Sequence, residues 1–116
     1  MQIQENLIRG IIDIVILQML ENRDMYGYEL FQEIRKRSGG EIVVKDGSLY
    51  PVMYRMVSRG YIKETTVLVG KRRTRKYYHI TDPGREHLHS MKAEFDRLKR
   101  GLDNIINYKE EPVIAD

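Results

Sequence analysis

The chain has 116 residues, which is the size of a single domain or of one domain with an appended element. Hydrophobic residues make up 41% and charged residues 32%, so the chain is too apolar for intrinsic disorder but has material for only a small core. The absence of cysteine excludes disulfides, thiol nucleophiles and cysteine-based zinc sites. The formal net charge of +3 is only a weak indication of a polyanionic partner.

The start of the sequence does not predict a targeting signal. Residues 1–6 lack the basic beginning of a signal peptide. The most apolar stretch, Ile11 to Leu20, is ten residues long and includes Asp13 and Gln18, so it is too short and too polar to span a membrane. We therefore expect a cytoplasmic protein with no membrane partner.

The first third of the chain predicts two helices. Residues 5–22 are apolar over a length that favours a helix, and their apolar positions cover most of its circumference, as in a helix packed on several sides. Residues 26–37 have apolar residues at helical spacing, followed by Gly39-Gly40, a typical helix end. Residues 42–44 predict a very short extended segment.

A third helix is predicted from Gly47-Ser48 to Arg59. Ser48 is a suitable N-cap, and Pro51 would then fall in the first turn, where proline is tolerated. The inner face of this helix is apolar. Its outer face carries polar and aromatic side chains, which are Ser48, Tyr50, Tyr54, Arg55, Ser58 and Arg59.

Two alternating segments rich in Val, Thr, Ile and Tyr, residues 61–69 and 75–81, predict the strands of a hairpin. The connection between them, residues 70–74, is basic and contains a glycine. Because successive side chains in a strand point to opposite faces, either Tyr77 or Tyr78 should be buried and the other half-exposed.

The last helix is predicted from Thr81-Asp82-Pro83, a typical helix start, to residue 108. Its apolar residues are spaced 3, 4, 3, 4 and 3 apart, which is a heptad pattern: Leu88, Met91, Phe95, Leu98, Leu102 and Ile105. The element order predicts a mainly α fold with a small β-hairpin, a winged helix-turn-helix followed by a long C-terminal helix. We expect a winged domain over 1–82, a dimerisation helix over 83–108 and a flexible acidic tail over 109–116.

The positive charge is concentrated in the middle of the chain. Residues 23–79 contain 13 Lys and Arg against 6 Asp and Glu, whereas the remaining residues contain 7 against 11. A charge run is often only a solvated surface. This one includes the predicted hairpin tip beside an exposed helix face, where binding to phosphate groups is the better explanation.

Three segments resemble the PadR family of bacterial transcriptional regulators. They are YGYEL (26–30) at the start of the second helix, GSLYPVMYRM (47–56) in the third, and RKYYHITDPG (75–84), which leads from the second strand into the last helix. Each segment is weak alone, but three in order at compatible spacing are specific. The resemblance covers residues 7–106, and the single C-terminal helix is similar to that of the family's short subgroup.

The resemblance implies a homodimeric winged-helix protein, usually a repressor, that binds double-stranded operator DNA. Members dimerise through the last helix, helped by the first, and place the third helix in the major groove with the wing near the minor groove or phosphates. The residues also favour a dimer independently, because so small a domain cannot cover a stripe of six apolar side chains and a second copy can. Two-fold symmetry would set the recognition helices about 34 Å apart on a palindromic operator.

The candidate DNA contacts are Lys45, Ser48 and Arg59 for phosphates, Tyr50, Tyr54 and Arg55 on the outer helix face, and Arg73 and Lys76 on the wing. Arg55 is the best candidate for a base contact, through two bonds to guanine. Tyr50 and Tyr54 share a face, although Tyr50 could instead be a partly buried core residue. Lys45 and Arg59 could equally be solvated surface residues.

Phe95 raises the question of an effector. Its simplest interpretation is packing in the dimer core. In drug-sensing members of the short subgroup, an aromatic residue at the matching position stacks on planar ligands between the subunits; here it is Phe rather than Trp, which weakens that expectation. A small planar or hydrophobic effector would lie among Ile8, Ile12, Val15, Met91 and Phe95.

The sequence carries no catalytic, cofactor or metal-binding motif. His87 and His89 are two residues apart, so a helix points them in different directions, and His79 lies alone in a strand. We therefore predict a regulator that is not an enzyme. One alternative is a protein that acts primarily as a ligand sensor at its dimer interface. Another is a winged-helix protein-interaction module that never contacts nucleic acid, against which the basic middle segment argues.

Overall fold

The computed structural model describes residues 3–113, and within them the chain forms five helices and three strands. In chain order these are α1 (Glu5–Arg9), α2 (Ile12–Asn22), β1 (Met25–Tyr26), α3 (Gly27–Arg37), α4 (Asp46–Ser58), β2 (Ile62–Val69), β3 (Arg73–Ile80) and α5 (Asp82–Ile106). The strands form one antiparallel sheet in the order β1-β3-β2. The predicted winged helix-turn-helix with a long C-terminal helix is confirmed.

The prediction of one continuous helix over residues 5–22 was wrong, because the chain turns at Gly10 and Ile11 between α1 and α2. Glycine is a poor helix former, and Ile11 leaves helical geometry with φ −121° and ψ 2°. The amide of Ile11 donates to the carbonyl of Ile8 at 3.0 Å, a bond that tightens the turn. Both helices nevertheless contribute to the core, with Ile8 and Ile12 buried on either side of the turn.

Strand β1 was not predicted, because a two-residue strand is too short to show an alternating pattern. Met25 pairs with Tyr78 and Tyr26 pairs with Tyr77, so β1 lies against the base of the wing. Tyr78 is buried and Tyr77 is partly exposed, which confirms the expected alternation.

The hairpin of β2 and β3 extends away from the core. Its register runs from Ile62 opposite Ile80 at the base to Val69 opposite Arg73 at the tip. The two isoleucines at the base are buried, whereas residues 63–68 and 70–76 are exposed. The hairpin is therefore a solvent-facing wing that is anchored only at its base.

Helix α4 starts earlier than predicted, at Asp46, and its N-cap is Lys45. The prediction that Ser48 caps the helix was therefore wrong; its hydroxyl donates instead to a carboxylate oxygen of Glu5 at 3.2 Å. The early start also moves Pro51 from the expected first turn into the helix interior. There proline has no N–H for the carbonyl four residues earlier, which weakens the helix locally.

The start of α5 is fixed against the turn between α4 and β2. Thr81 is its N-cap, which confirms the predicted helix start: Oγ1 accepts from the amide of Gly84 at 3.0 Å and donates to the carbonyl of Tyr61 at 2.9 Å. A β-carbon on Gly84 would overlap that carbonyl, so only glycine permits this approach. Leu88, one turn further on, is completely buried.

The remainder of α5 becomes progressively exposed. Met91 and Phe95 are half-buried, whereas Leu98, Leu102 and Ile105 are exposed. The described chain is elongated, with extents of 83 × 32 × 21 Å. The tail predicted over 109–116 is exposed as far as residue 113, and residues 114–116 lie outside the described range. The boundaries proposed between the winged domain, the helix and the tail remain predictions.

Candidate nucleic-acid interface and neighbouring groove

The outer face of α4 presents two exposed tyrosines. Tyr50 is 55% exposed and Tyr54 is 78% exposed, so Tyr50 is a surface residue in this chain rather than part of the core. Their four-residue spacing places both rings on one side of the helix. Lys45 and Arg59 add an exposed cation at either end of α4. The helix therefore offers aromatic and cationic side chains to a partner.

The wing supplies a second set of cations next to α4. Residues 71–76 are exposed, and they include Arg73 and Lys76. The ammonium of Lys76 lies 3.9 Å from a carboxylate oxygen of Glu64, a long contact between two exposed side chains. Such pairs contribute little free energy, so Lys76 is readily available to a phosphate.

A cleft of about 370 Å³ joins the beginning of α3, the outer face of α4 and the wing. It is lined by Tyr26, Gly27, Tyr28, Tyr50, Arg75, Lys76 and Tyr78. The guanidinium carbon of Arg75 lies 4.4 Å from the centre of the Tyr26 ring, which holds this cation at the cleft. Tyr28 and Arg75 were not among the predicted contacts, although both fall within the family-like segments, which was the signal available.

Arg55 does not occupy the outer-face position expected of a base-contacting residue. Its guanidinium forms two hydrogen bonds to the carboxylate of Asp13 in α2: Nη1 donates to Oδ2 at 3.2 Å, and Nη2 donates to Oδ1. The Asp13 side chain is only 14% exposed. Burial raises the pKa of Asp13, but hydrogen bonds from Arg55 and His87 lower it by more, so this pKa lies below its ordinary value.

The same carboxylate connects to α5. His87 Nε2 lies 3.0 Å from Asp13 Oδ2, and because an ionised carboxylate can only accept, Nε2 is the donor. The imidazole also stacks on the ring of Tyr61, with 4.1 Å between ring centres and 5° between planes. We call Asp13, Arg55, Tyr61 and His87 the Asp13 cluster. His87 had no predicted role, since a partner 74 residues away leaves no local pattern.

An apolar groove of about 910 Å³ lies between the N-terminal helices and α5. Its apolar lining consists of Leu7, Ile11, Ile14, Met91, Phe95, Leu98, Leu102 and Ile105. The groove brings together five of the six heptad residues expected at the dimer interface. The sixth, Leu88, lies instead in the core of the protomer.

The residues expected to face Phe95 from the first part of the chain lie elsewhere. Ile8 and Ile12 are buried in the protomer core and border a different cavity, and Val15 packs against the same core. Their sequence neighbours Leu7, Ile11 and Ile14 line the groove instead. Apolar residues surround this segment on nearly all sides, so periodicity alone could not decide which of them faced α5.

The fold and the surface together define a class of protein. A compact helical unit with an exposed aromatic and basic helix beside a projecting basic wing is the architecture of winged-helix DNA-binding proteins. Across residues 3–113, no helix combines the length and the apolar character that crossing a bilayer requires.

Comparison with known proteins then gives the family. The profile of the Transcriptional regulator PadR-like family matches residues 16–90. The chain belongs to this family of DNA-binding transcriptional regulators, which are not enzymes.

Similarity to individual proteins extends over much of the chain. The chain is 33% identical over 101 residues to an uncharacterized protein of Lysinibacillus sphaericus, covering 87% of this chain and 93% of that protein. It is 27% identical over 74 residues to the negative transcriptional regulator PadR of Bacillus subtilis, covering 64% of this chain and 41% of that protein. A solved transcriptional regulator from Clostridium thermocellum superimposes with a TM-score of 0.83 at 31% identity, covering 89% of this chain and all of that one.

Proposed function

We propose that this protein is a repressor that binds a palindromic operator as a homodimer and is released by a small planar or hydrophobic effector. The observation that carries the proposal is the continuous surface on which Tyr50 of α4 meets Arg75 and Lys76 of the wing in one cleft. Exposed side chains that can reach base edges, next to cations that bind phosphates, suit a major-groove reader.

Within this proposal, α4 enters the major groove and the wing follows the backbone. The hydroxyls of Tyr50 and Tyr54 contact base edges or adjacent phosphates, because both side chains are exposed on one side of α4. The remaining cations bind phosphates, namely Lys45 and Arg59 at the ends of α4 and Arg73 and Lys76 on the wing. Ser48 adds a phosphate contact if its hydroxyl exchanges Glu5 for DNA.

The dimer forms through the second half of α5. Leu98, Leu102 and Ile105 are exposed and lie along one face, and they continue the groove that Leu7 and Ile14 border. A second copy of α5 packed antiparallel or parallel to the first would bury these side chains. Each Å² of apolar surface that is buried contributes about 25 cal/mol, which favours association. Two copies related by a two-fold axis require an operator with matching dyad symmetry.

The effector would lie in the groove around Phe95. The space of about 910 Å³ is large enough for a drug-sized molecule, and Phe95 supplies a half-buried aromatic face. The ammonium of Lys99 lies 5.9 Å from the centre of that ring, so an anionic group on the effector would find a cation nearby. This volume also favours a second candidate function, in which ligand sensing at the groove is the primary activity.

Operator binding is tested by selecting duplexes from a randomised DNA pool with the purified protein. The expected result is a sequence with two inverted half-sites centred about one helical turn apart, bound by two protomers. Fluorescence anisotropy then compares the selected duplex with a scrambled duplex of equal length over a range of salt concentrations. Selected sequences without dyad symmetry, or equal affinity for both duplexes, would contradict the proposed function.

Repression and release are tested separately. A reporter gene placed behind the selected operator should be silenced when the protein is expressed. The fluorescent dye 1-anilinonaphthalene-8-sulfonate, which is planar, apolar and anionic, serves as a probe of the groove. It should bind wild type more tightly than Phe95→Ala and should lower operator affinity; Tyr108→Ala, which truncates an exposed aromatic outside the groove lining, is the matched control. Dye binding that leaves operator affinity unchanged would contradict a releasing effector at this site.

A further inference from the structure

The Asp13 cluster joins three helices at one carboxylate. Asp13 lies in the first turn of α2, Arg55 in the last turn of α4, and His87 in α5. Both oxygens of the carboxylate are used, Oδ1 by Arg55 and Oδ2 by Arg55 and His87. Helix α4 is thereby bonded to α2 and α5, two of the helices that border the apolar groove.

We propose that Arg55 is a positioning residue: through Asp13 and His87 it fixes α4 relative to α2 and α5, and operator discrimination depends on it although it contacts no base. This inference rests on the proposed function, since it concerns how the same helix is presented to DNA. It replaces the role in direct base recognition that the sequence suggested for Arg55.

The geometry of the pair explains why it can hold an orientation. A guanidinium and a carboxylate joined by two parallel hydrogen bonds resist both sliding and rotation, whereas a single contact fixes only a distance. The carboxylate side of the pair is largely shielded from water, since the Asp13 side chain is 14% exposed, whereas the Arg55 side chain is 34% exposed. Releasing Arg55 toward DNA would leave the Asp13 carboxylate partly buried without its main partner, which is costly.

The position of the cluster connects it to the groove. His87 lies one turn before Met91 on α5, and Asp13 immediately precedes Ile14 on α2; Met91 and Ile14 both line the groove. On the other side, Arg55 follows Tyr54, which is 78% exposed on the proposed DNA-contacting face. A change in the spacing of α2 and α5 at the groove therefore acts on the carboxylate, and through Arg55 on the helix that carries Tyr54.

A double-mutant cycle of Asp13→Asn, Arg55→Gln and both together tests this role. The readout is the ratio of affinities for the selected operator and the scrambled duplex. Positioning predicts that each single variant lowers the ratio by about 10-fold and that the double variant is no worse than the more affected single variant, since both break one interaction. If Arg55 instead contacted a base directly, Asp13→Asn should leave the affinity ratio unchanged or raise it, because this substitution frees the guanidinium of Arg55. An unchanged or increased ratio in Asp13→Asn therefore overturns the proposal.

The pattern of lost discrimination provides a second test. A positioning residue affects every base pair that α4 contacts, so Arg55→Gln should reduce discrimination at several operator positions when each is substituted in turn. A loss confined to a single guanine would indicate bidentate recognition by Arg55 and would overturn the proposal.

Variants at His87 keep the test decisive if the Asp13 variants do not fold. Gln at this position retains an N–H donor for the carboxylate, whereas Leu does not, so His87→Gln should preserve more of the affinity ratio than His87→Leu. Arg85→Gln, which breaks an exposed ion pair with Asp82 on the same helix, is the matched control and should leave the ratio unchanged. The proposal would be overturned if His87→Leu had the same affinity ratio as wild type. It would also be overturned if Arg85→Gln lowered the ratio as much as His87→Leu does. Failure of the wild-type protein itself to prefer the operator would instead overturn the proposed function.

Discussion

The two halves of α5 carry one heptad pattern but lie in different surroundings. Leu88, in the first half, is 0% exposed and belongs to the protomer core, whereas Ile105, in the second half, is 75% exposed. Both residues belong to the same apolar stripe, Leu88 at an a position and Ile105 at a d position of the repeat. The comparison shows that heptad spacing determines which face of a helix is apolar, while the surrounding fold determines what covers that face.

Equal truncations in the two halves should have unequal consequences. Leu88→Ala removes a fully packed side chain and should lower the free energy of unfolding of each protomer by about 3 kcal/mol, because the core cannot collapse around the lost atoms. Leu102→Ala opens no such cavity in the protomer. Urea unfolding at several protein concentrations measures both effects. If Leu88→Ala and Leu102→Ala lowered the free energy of unfolding by comparable amounts at protein concentrations too low for association, the two halves of α5 would not differ in this way.

Charge introduced into the exposed half should abolish the proposed dimer while leaving the protomer folded. Leu102→Glu combined with Ile105→Glu should raise the dimer dissociation constant by at least about 100-fold, because two copies would have to bury like charges together. Operator affinity should fall as well, since the two half-sites are no longer bound by one linked unit. Sedimentation velocity and circular dichroism give the mass and the fold; Lys109→Glu is the control. A dimer that persists in the double variant would place the interface elsewhere.

A smaller effect is expected on the wing, which like the second half of α5 is exposed within the protomer but carries cations rather than apolar side chains. Lys76→Ala should weaken binding to every duplex by a few-fold and reduce the slope of log affinity against log salt by about one, as expected for one lost phosphate contact. Lys109→Ala removes the same charge from the tail and should leave the slope unchanged. A sequence-dependent loss in Lys76→Ala would instead indicate a base contact.

The smallest effect is a pH dependence of stability at the Asp13 cluster, on the buried side of α5. The pKa of Asp13 lies below its ordinary value of 3.8, so the folded state gains stability from the ionised carboxylate at higher pH. That stability should disappear as the pH falls below 3.8 toward the folded-state pKa. This contribution is measured from the free energies of unfolding of wild type and Asp13→Asn between pH 6 and about pH 3. The difference between the two free energies should shrink toward the acidic end. A difference that grows on acidification would contradict the lowered pKa.

Much of the fold followed from local patterns. The positions of α3, the two wing strands and α5 were predicted to within a few residues, because helical spacing, strand alternation and the Thr81 cap are encoded in adjacent residues. The break at Gly10 was missed because a single glycine is tolerated in many helices, so its effect depends on the packing on either side. Strand β1 was missed because its identity lies in its pairing with Tyr77 and Tyr78 rather than in its own two residues.

The candidate site likewise combines residues that local patterns predicted with contacts that only the fold reveals. The exposed tyrosines of α4 and the cations of the wing were selected from their spacing in the sequence, and the structure brings Tyr50 and Lys76 to one cleft. Arg55 was assigned to the same surface because it falls on the outer face of the predicted helix, and sequence spacing alone could not show which way its long side chain turns. Its partner Asp13 lies 42 residues earlier in the chain. His87, which bonds the same carboxylate, lies 74 residues after Asp13.

The sequence by itself determined the class of this protein: a winged helix-turn-helix of the PadR-like family with a basic middle segment and an apolar stripe on its last helix. These properties depend on residue type and short-range periodicity, which are visible in one chain. Only the tertiary structure decided that Leu88 belongs to the protomer core, that Leu7, Ile11 and Ile14 rather than their neighbours line the groove, and that Arg55 is bound by Asp13. The physical reason is that burial and ion pairing depend on which distant segments the fold places side by side, and no local pattern contains that information.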